Sequence, residues 1–303
     1  ILGSRRTITQ AGVTPARTRG LARPHYPCFL RQALSAARRA EATPERQREL
    51  LVATMDHLKS LPADATPPVM AEAIHALVRA QTRNPDPYRA AKQEATEQAL
   101  ALLPALGERV RTAADPLDTA VRIAIAGNII DYGVGETFAL EATLELVLEQ
   151  PYAIDGLNAL RQALETTEDI LFLGDNAGET VFDRVLIEHL GKPVTYVVKG
   201  SPIINDATLE DAIAAGLDQA TEIIDNGSAA PGTILDRCSP ELRQRFDAAR
   251  LIIAKGQANY ETLSEVPAPI FFLLQAKCGV IAGDLGARQG DIILKAPRDP
   301  GQV

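Results

Sequence analysis

Apolar positions divide the chain into two textures. Over 27–148 they recur at helical spacing: Phe29, Leu30, Ala33, Leu34 and Ala37, then Leu50, Leu51, Met55 and Leu58 behind Pro44. Pro62, Pro67 and Pro68 interrupt the pattern, and Val69 to Val78 resumes it. Asn84-Pro85-Asp86-Pro87 marks a turn before a long Ala/Leu/Glu-rich helix that runs to about Val110. Further helices are predicted over 117–130, behind Pro116, and over 137–149. No strand is predicted in this half.

From residue 168 the runs become short and rich in Val, Ile and Phe. They are Ile170–Leu173, Val194–Val198, Ile223–Asp225, Leu251–Ala254, Ile270–Leu274 and Ile292–Leu294. Helical stretches over 179–190, 206–216 and 239–248 separate the first several. Strands alternating with helices build βαβ units. The expected fold is therefore α/β: a three-layer α/β/α domain with a mostly parallel sheet over 151–303, preceded by an all-helical region over 25–150. Residues 1–24 carry five arginines and no acid, and are expected to form a basic flexible arm.

In open α/β sheets, ligands bind at the carboxyl ends of the parallel strands. Five strand ends carry polar and charged residues. They are Gly174-Asp175-Asn176-Ala177-Gly178-Glu179, Lys199-Gly200 leading to Asn205-Asp206, Asp225-Asn226-Gly227, Lys255-Gly256-Gln257-Ala258-Asn259-Tyr260-Glu261, and Lys277-Cys278. Asp and Asn oxygens are hard ligands for a divalent cation, and Asp175, Asn176 and Asp206 supply three. Lys255 and Lys277, with glycine-rich turns at helix N-termini, make a phosphate cradle. Cation, lysine and helix N-terminus together suit phosphoryl transfer. Asp175, Asn176 and Asp206 also read as cap or turn residues, and Asp225-Asn226-Gly227 as a tight turn. In the helical half, Asn128 and Asp131 share one otherwise apolar face. They read either as interdomain braces or as groups facing the site.

Charge and composition narrow the classes. A net charge of −8 argues against nucleic acid as the main partner. No run of 18 or more apolar residues predicts a membrane span. The three cysteines, Cys28, Cys238 and Cys278, are far apart and form no C-x-x-C pair. They favour neither a disulfide framework nor a cysteine zinc site, and a reducing cytoplasm is expected.

Seven segments in order resemble one family: P-C-F-L-R-Q (27–32), D-P-Y-R-A-A-K (86–92), G-N-I-I-D-Y-G (127–133), G-D-N-A-G-E (174–179), V-K-G-S-P-I-I-N-D (198–206), K-G-Q-A-N-Y-E (255–261) and F-L-L-Q-A-K-C (272–278). The chain resembles the metal-dependent damage-control phosphatases, a former domain of unknown function, and within them the stand-alone prokaryotic branch. The resemblance implies an α/β/α fold and a divalent metal (Mn²⁺, Mg²⁺, Co²⁺ or Ni²⁺) on Asp175, Asn176 and Asp206. It implies substrate contacts from the Gln257–Glu261 segment and from Glu179, and a phosphate-facing Lys277. Asp175 and Lys277 are thus the catalytic candidates. Asn128, Asp131, Glu179, Lys255, Gln257, Asn259 and Glu261 are the substrate candidates. The expected activity is hydrolysis of small phosphorylated metabolites, sugar phosphates or damaged cofactor intermediates, by metal-activated water. An aspartyl-phosphate on Asp175 is the rival path. A non-catalytic metabolite binder remains open, as does a methyltransferase, although the G-x-G spacing after the strand is missing.

Overall fold

The computed structural model describes residues 26–62, 65–128 and 144–298. Five helices open it: α1 (Tyr26–Arg39), α2 (Pro44–Ser60), α3 (Pro67–Thr82), α4 (Arg89–Thr112) and α5 (Pro116–Gly127). Two begin by the same local rule. Thr43 accepts from the Arg46 N–H ahead of Pro44, and Asp115 accepts from the Asp118 N–H ahead of Pro116. Proline fits the first helical position because an N–H there has no helical partner. The expected arm over 1–24 lies outside the described residues, as does 137–143; 144–149 is helical.

The second half alternates strands and helices. The strands are β1 (Tyr152–Asp155), β2 (Ile170–Leu173), β3 (Val194–Val198), β4 (Glu222–Asp225), β5 (Ile252–Lys255), β6 (Ile270–Gln275) and β7 (Ile292–Lys295). The helices are α6 (Leu157–Thr166), α7 (Thr180–Leu190), α8 (Leu209–Ala214), α9 (Pro240–Ala248), α10 (Gly256–Leu263) and α11 (Gly279–Leu285). The strands form one sheet in the order β1-β7-β6-β5-β2-β3-β4. The five strands from β6 to β4 run parallel. β7 is antiparallel to β6, and β1 is parallel to β7. The fold is the mostly parallel α/β architecture that the alternating runs predict. β1 was not expected. It is a short edge strand whose residues alternate between half-buried and exposed, and it holds a single β-branched residue, Ile154.

Alternate side chains of each strand enter different cores. Ile170 and Phe172 pack with α4 to α7, whereas Leu171 and Leu173 pack with α9 to α11. A third core joins α1, α2 and α3 through Phe29, Ala33, Leu50, Ile74 and Val78. The cores therefore divide the chain elsewhere than at residue 150. Leu102 and Leu106 of α4 and Val121 and Ile125 of α5 belong to the sheet's own core, and only α1 to α3 stand apart. Helical periodicity reports an apolar face but not which surface that face meets.

Connectivity places the site. After β2 the chain crosses to β3 through α7 on one face of the sheet. After β5, the neighbour on the other side of β2, it crosses to β6 through α10 on the opposite face. The two connections diverge and leave a crevice at the carboxyl ends of β2 and β5.

Candidate active site

The turn after β2 carries Asp175 into that crevice. Its Oδ2 accepts from Nδ2 of Asn128 at 3.0 Å and from Nδ2 of Asn176 at 3.1 Å. The loop after β3 returns alongside. An antiparallel bridge joins Asn176 to Asp206, the Ala207 N–H donates to the Asp175 carbonyl at 2.8 Å, and the Ala177 N–H to that of Asn205 at 2.9 Å. Backbone pairing thus sets two carboxylates and an amide side by side. Neither aspartate is a helix cap. α7 starts beyond Glu179, and α8 is capped by Thr208 with Asp211 reciprocating. Two residues before Asp206, Ile204 has φ +44°, a backbone region that a β-branched residue enters only when its surroundings force it. Asp225-Asn226-Gly227 forms the tight turn, with Asp225 Oδ1 accepting from the Gly227 N–H at 2.8 Å.

Beneath this layer lies a fully buried ion network. Lys255 Nζ donates to Glu179 Oε1 at 2.5 Å, to Asp183 Oδ1, and to the Ala124 carbonyl at 2.8 Å. Glu179 Oε2 accepts from Asn128 and Asn176, so the network reaches up to the groups that hold Asp175. Tyr196 closes it from below, donating to Asp183 Oδ2 at 2.7 Å. Burial acts to lower the Lys255 pKa, but the adjoining Asp183 and Glu179 charges outweigh it and hold the ammonium. Burial raises Asp183, against the pull of Lys255.

Above the layer is a cavity of about 600 Å³. Asn128, Asp175, Asn176 and Asp206 line it, and Gln257, Glu261 and Lys277 face it from α10 and the end of β6. Gln257 Oε1 accepts from the Lys277 N–H at 3.2 Å, which turns its Nε2 towards Glu261 Oε1 at 3.3 Å. Burial pushes the Glu261 carboxyl up to about 7, against that hydrogen bond. Asp175 is driven well above the carboxylate range by burial and by the charges of Glu179 and Asp206; Lys277 and Lys199 pull the other way. Asp206 is likewise raised by burial, against Lys199.

The residues present fit a hard divalent cation. Asp206 Oδ2 and Asn128 Oδ1 are enclosed without a hydrogen-bond donor, although Lys199 Nζ stands 3.4 Å from the former. Two crowded, buried carboxylates and amide oxygens call for positive charge, and a cation there would restore both aspartates to their ionised form. The donor set is all oxygen; among the described residues no trio of His, Cys, Asp or Glu gathers into a metal cluster.

Three expected substrate contacts need correcting. Lys255 and Asn259 have no exposed surface, Glu179 has almost none, and none of them lines the cavity. Lys255 is neutralised by Glu179 and Asp183. Asn259 donates to the carbonyls of Lys255 and Gly174 and accepts from Thr233 Oγ1. Asp131 lies outside the described residues. Of the 86–92 segment, Lys92 is buried between Asp86 and Asp211, at 2.7 and 2.8 Å, where it ties α4 to α8. The site also uses Asp183, Tyr196 and Lys199, which received no role from the sequence. Asp183 could have been found from its i+4 spacing to Glu179, and Lys199 from the strand-end rule itself.

Comparison with known proteins gives the family. Residues 22–293 match the model of the damage-control phosphatase ARMT1-like domain. An uncharacterized protein (MJ0202) of Methanocaldococcus jannaschii is 38% identical over 280 residues, 88% of this chain and 92% of that protein. A damage-control phosphatase of Archaeoglobus fulgidus is 39% identical over 219 residues, 69% of this chain and 75% of that protein. The crystal structure of a DUF89 family protein from Pyrococcus horikoshii superposes with a TM-score of 0.83 at 32% identity, covering 90% of this chain and 97% of that one. The domain match across nearly the whole chain, with relatives above 30% identity along most of its length, places the chain in the damage-control phosphatase ARMT1-like family.

Proposed function

We propose that this family member is a metal-dependent phosphatase of small phosphorylated metabolites, sugar phosphates or damaged cofactor intermediates. The observation that carries the reading is the convergence of Asp175, Asn176 and Asp206 on a cavity that Lys277 also lines. Asp175, Asn176 and Asp206 would hold a divalent cation (Mn²⁺, Mg²⁺, Co²⁺ or Ni²⁺), which supplies Lewis acidity to the phosphoryl oxygens. Lys277 sets a second positive charge against those oxygens. Asn128 orients Asp175 and binds Glu179 with the same amide nitrogen. Lys255 acts through Glu179 and Asp183 as a positioning residue. Glu261 lines the cavity, and burial raises its carboxyl to about 7, so a protonated fraction persists at neutral pH; there it would meet the alcohol side of the substrate and give its proton to the leaving oxygen. Gln257 orients Glu261. No helix among the described residues is long and apolar enough to cross a membrane. The three thiols are all free, which suits the reducing cytoplasm as the working compartment.

The test is phosphate release from p-nitrophenyl phosphate and a panel of sugar phosphates. The protein is stripped with chelator and refilled with each cation, beside an Asp175→Ala/Asp206→Ala variant. Turnover that returns with metal and vanishes in the variant supports the phosphatase. Bound metal without turnover on any substrate would instead indicate a binder, and failure to bind metal would overturn the site.

A further inference from the structure

The cavity extends beyond the phosphate position. Its volume of about 600 Å³ is that of a site for a whole metabolite. One face of α1 contributes to its wall, through Arg31, Gln32, Ser35 and Arg39. α1 contains three arginines and no acid. Arg46, Arg89, Arg109, Arg122, Arg245 and Arg298 each hold a carboxylate. Arg31 holds none among the described residues. Its guanidinium donates to Cys28 Sγ at 3.3 Å, a weak acceptor that fixes its direction without neutralising it. Arg39 lies over the ring of Tyr88, 5.1 Å from its centroid, and Tyr88 is buried in the same cavity wall. Between the arginines, Gln32 Oε1 is enclosed without a hydrogen-bond partner.

We propose that the α1 wall is a second anion subsite, so that the substrate is a metabolite carrying two anionic groups. This inference rests on the phosphatase reading: one group, the phosphoryl, meets Asp175, Asp206 and Lys277. The other, a phosphate or a carboxylate, meets the forked guanidinium donors of Arg31 and Arg39. Gln32 accepts from a hydroxyl on the carbons between them. A neutral sugar end would leave Arg31 without an anion among the described residues.

The test uses ligands with carbon–phosphorus bonds, which are not hydrolysed, so binding is read apart from turnover. Calorimetry on the Mn²⁺-loaded protein compares alkylphosphonates of three to six carbons with α,ω-diphosphonates and ω-carboxyalkylphosphonates of equal length. At one or more lengths a two-ended ligand should bind at least about tenfold tighter than its one-ended counterpart. Preference between the diphosphonate and carboxyalkyl arms identifies the second group. In Arg31→Gln and in Arg31→Gln/Arg39→Gln that advantage should shrink to within about threefold, while one-ended ligands bind as before. All the substituted side chains are exposed, so the fold survives the change. Equal binding of one- and two-ended ligands at every length would overturn the proposal. So would binding of neither kind, or an advantage that persists in the double variant. Turnover of p-nitrophenyl phosphate by the wild type, measured in parallel, reports separately on the phosphatase reading.

Discussion

Gly256 and Asp175 are packed so closely that a β-carbon on the glycine would overlap the Oδ2 of the aspartate. Gly256 also has φ +77°, the left-handed region that only glycine enters freely. One residue at the end of β5 therefore defines where the carboxylate at the end of β2 can lie. The relationship spans the crevice between the two diverging connections.

Gly256→Ala should lose on two counts. The backbone alone costs about 1–2 kcal/mol, and displacement of Asp175 adds to it. The expected result is a lower urea midpoint together with weaker Mn²⁺ binding by calorimetry. Unchanged metal affinity would separate Gly256 from the placement of Asp175.

Lys255 should behave as a buried keystone rather than a substrate contact. Lys255→Met strands Glu179 and Asp183 without their cation, which costs roughly 3–5 kcal/mol. Adding Asp183→Asn to Lys255→Met should recover part of that loss, because one buried charge is removed while Tyr196 keeps an acceptor. Denaturant unfolding of the two variants decides it. Full stability of Lys255→Met would contradict the network.

His75, buried on α3, should make the fold acid-sensitive. Burial, with help from Arg79, depresses its pKa to about 4, and its Nε2 has no hydrogen-bond partner. The ring is neutral in the fold and packs against Tyr88. Its folded pKa lies below the unfolded value of about 6.5, so the unfolded state takes up the proton first. Its contribution is complete above pH ~6.5 and is lost as pH falls to about 4, reaching about 3 kcal/mol. The carboxylates raised by burial act in the opposite sense over the same range. The difference between wild type and His75→Phe therefore isolates the histidine. The wild type should lose stability relative to His75→Phe between pH 6.5 and 4.

Glu261 should matter in proportion to how poor the leaving group is. In Glu261→Gln, turnover of alkyl phosphates should fall about 10²-fold, while that of p-nitrophenyl phosphate changes far less, because nitrophenolate needs no proton. The wild-type rate on alkyl esters should decline as pH rises through about 7, where the folded carboxyl loses its proton. Equal losses on both ester types would assign Glu261 to binding alone.

Much of this site was legible along the chain. Asp175, Asn176, Asp206, Gln257, Glu261 and Lys277 all follow apolar runs, and in a parallel sheet such positions share one edge. Lys255 sits by the same rule, yet its side chain turns inward. A lysine after a strand reads identically whether it meets water or two carboxylates. Its partners, four residues apart at the start of α7, come from 72 and 76 residues away in the chain. Asn259 turns inward for a similar reason: its partners are the carbonyls of Lys255 and Gly174 and the hydroxyl of Thr233.

The sequence by itself determined the helical first half, the alternating second half, the edge of the sheet where the candidate site lies and the family. Those properties follow from local periodicity and from residue types at strand ends, which do not depend on what packs where. Only the tertiary structure decided that α4 and α5 belong to the sheet's core, that Lys255 is enclosed, and that α1 brings its arginines to the cavity. Each of these is a contact between elements distant in the chain, and burial, which decides whether a charge is a ligand or a brace, exists only once those elements have met.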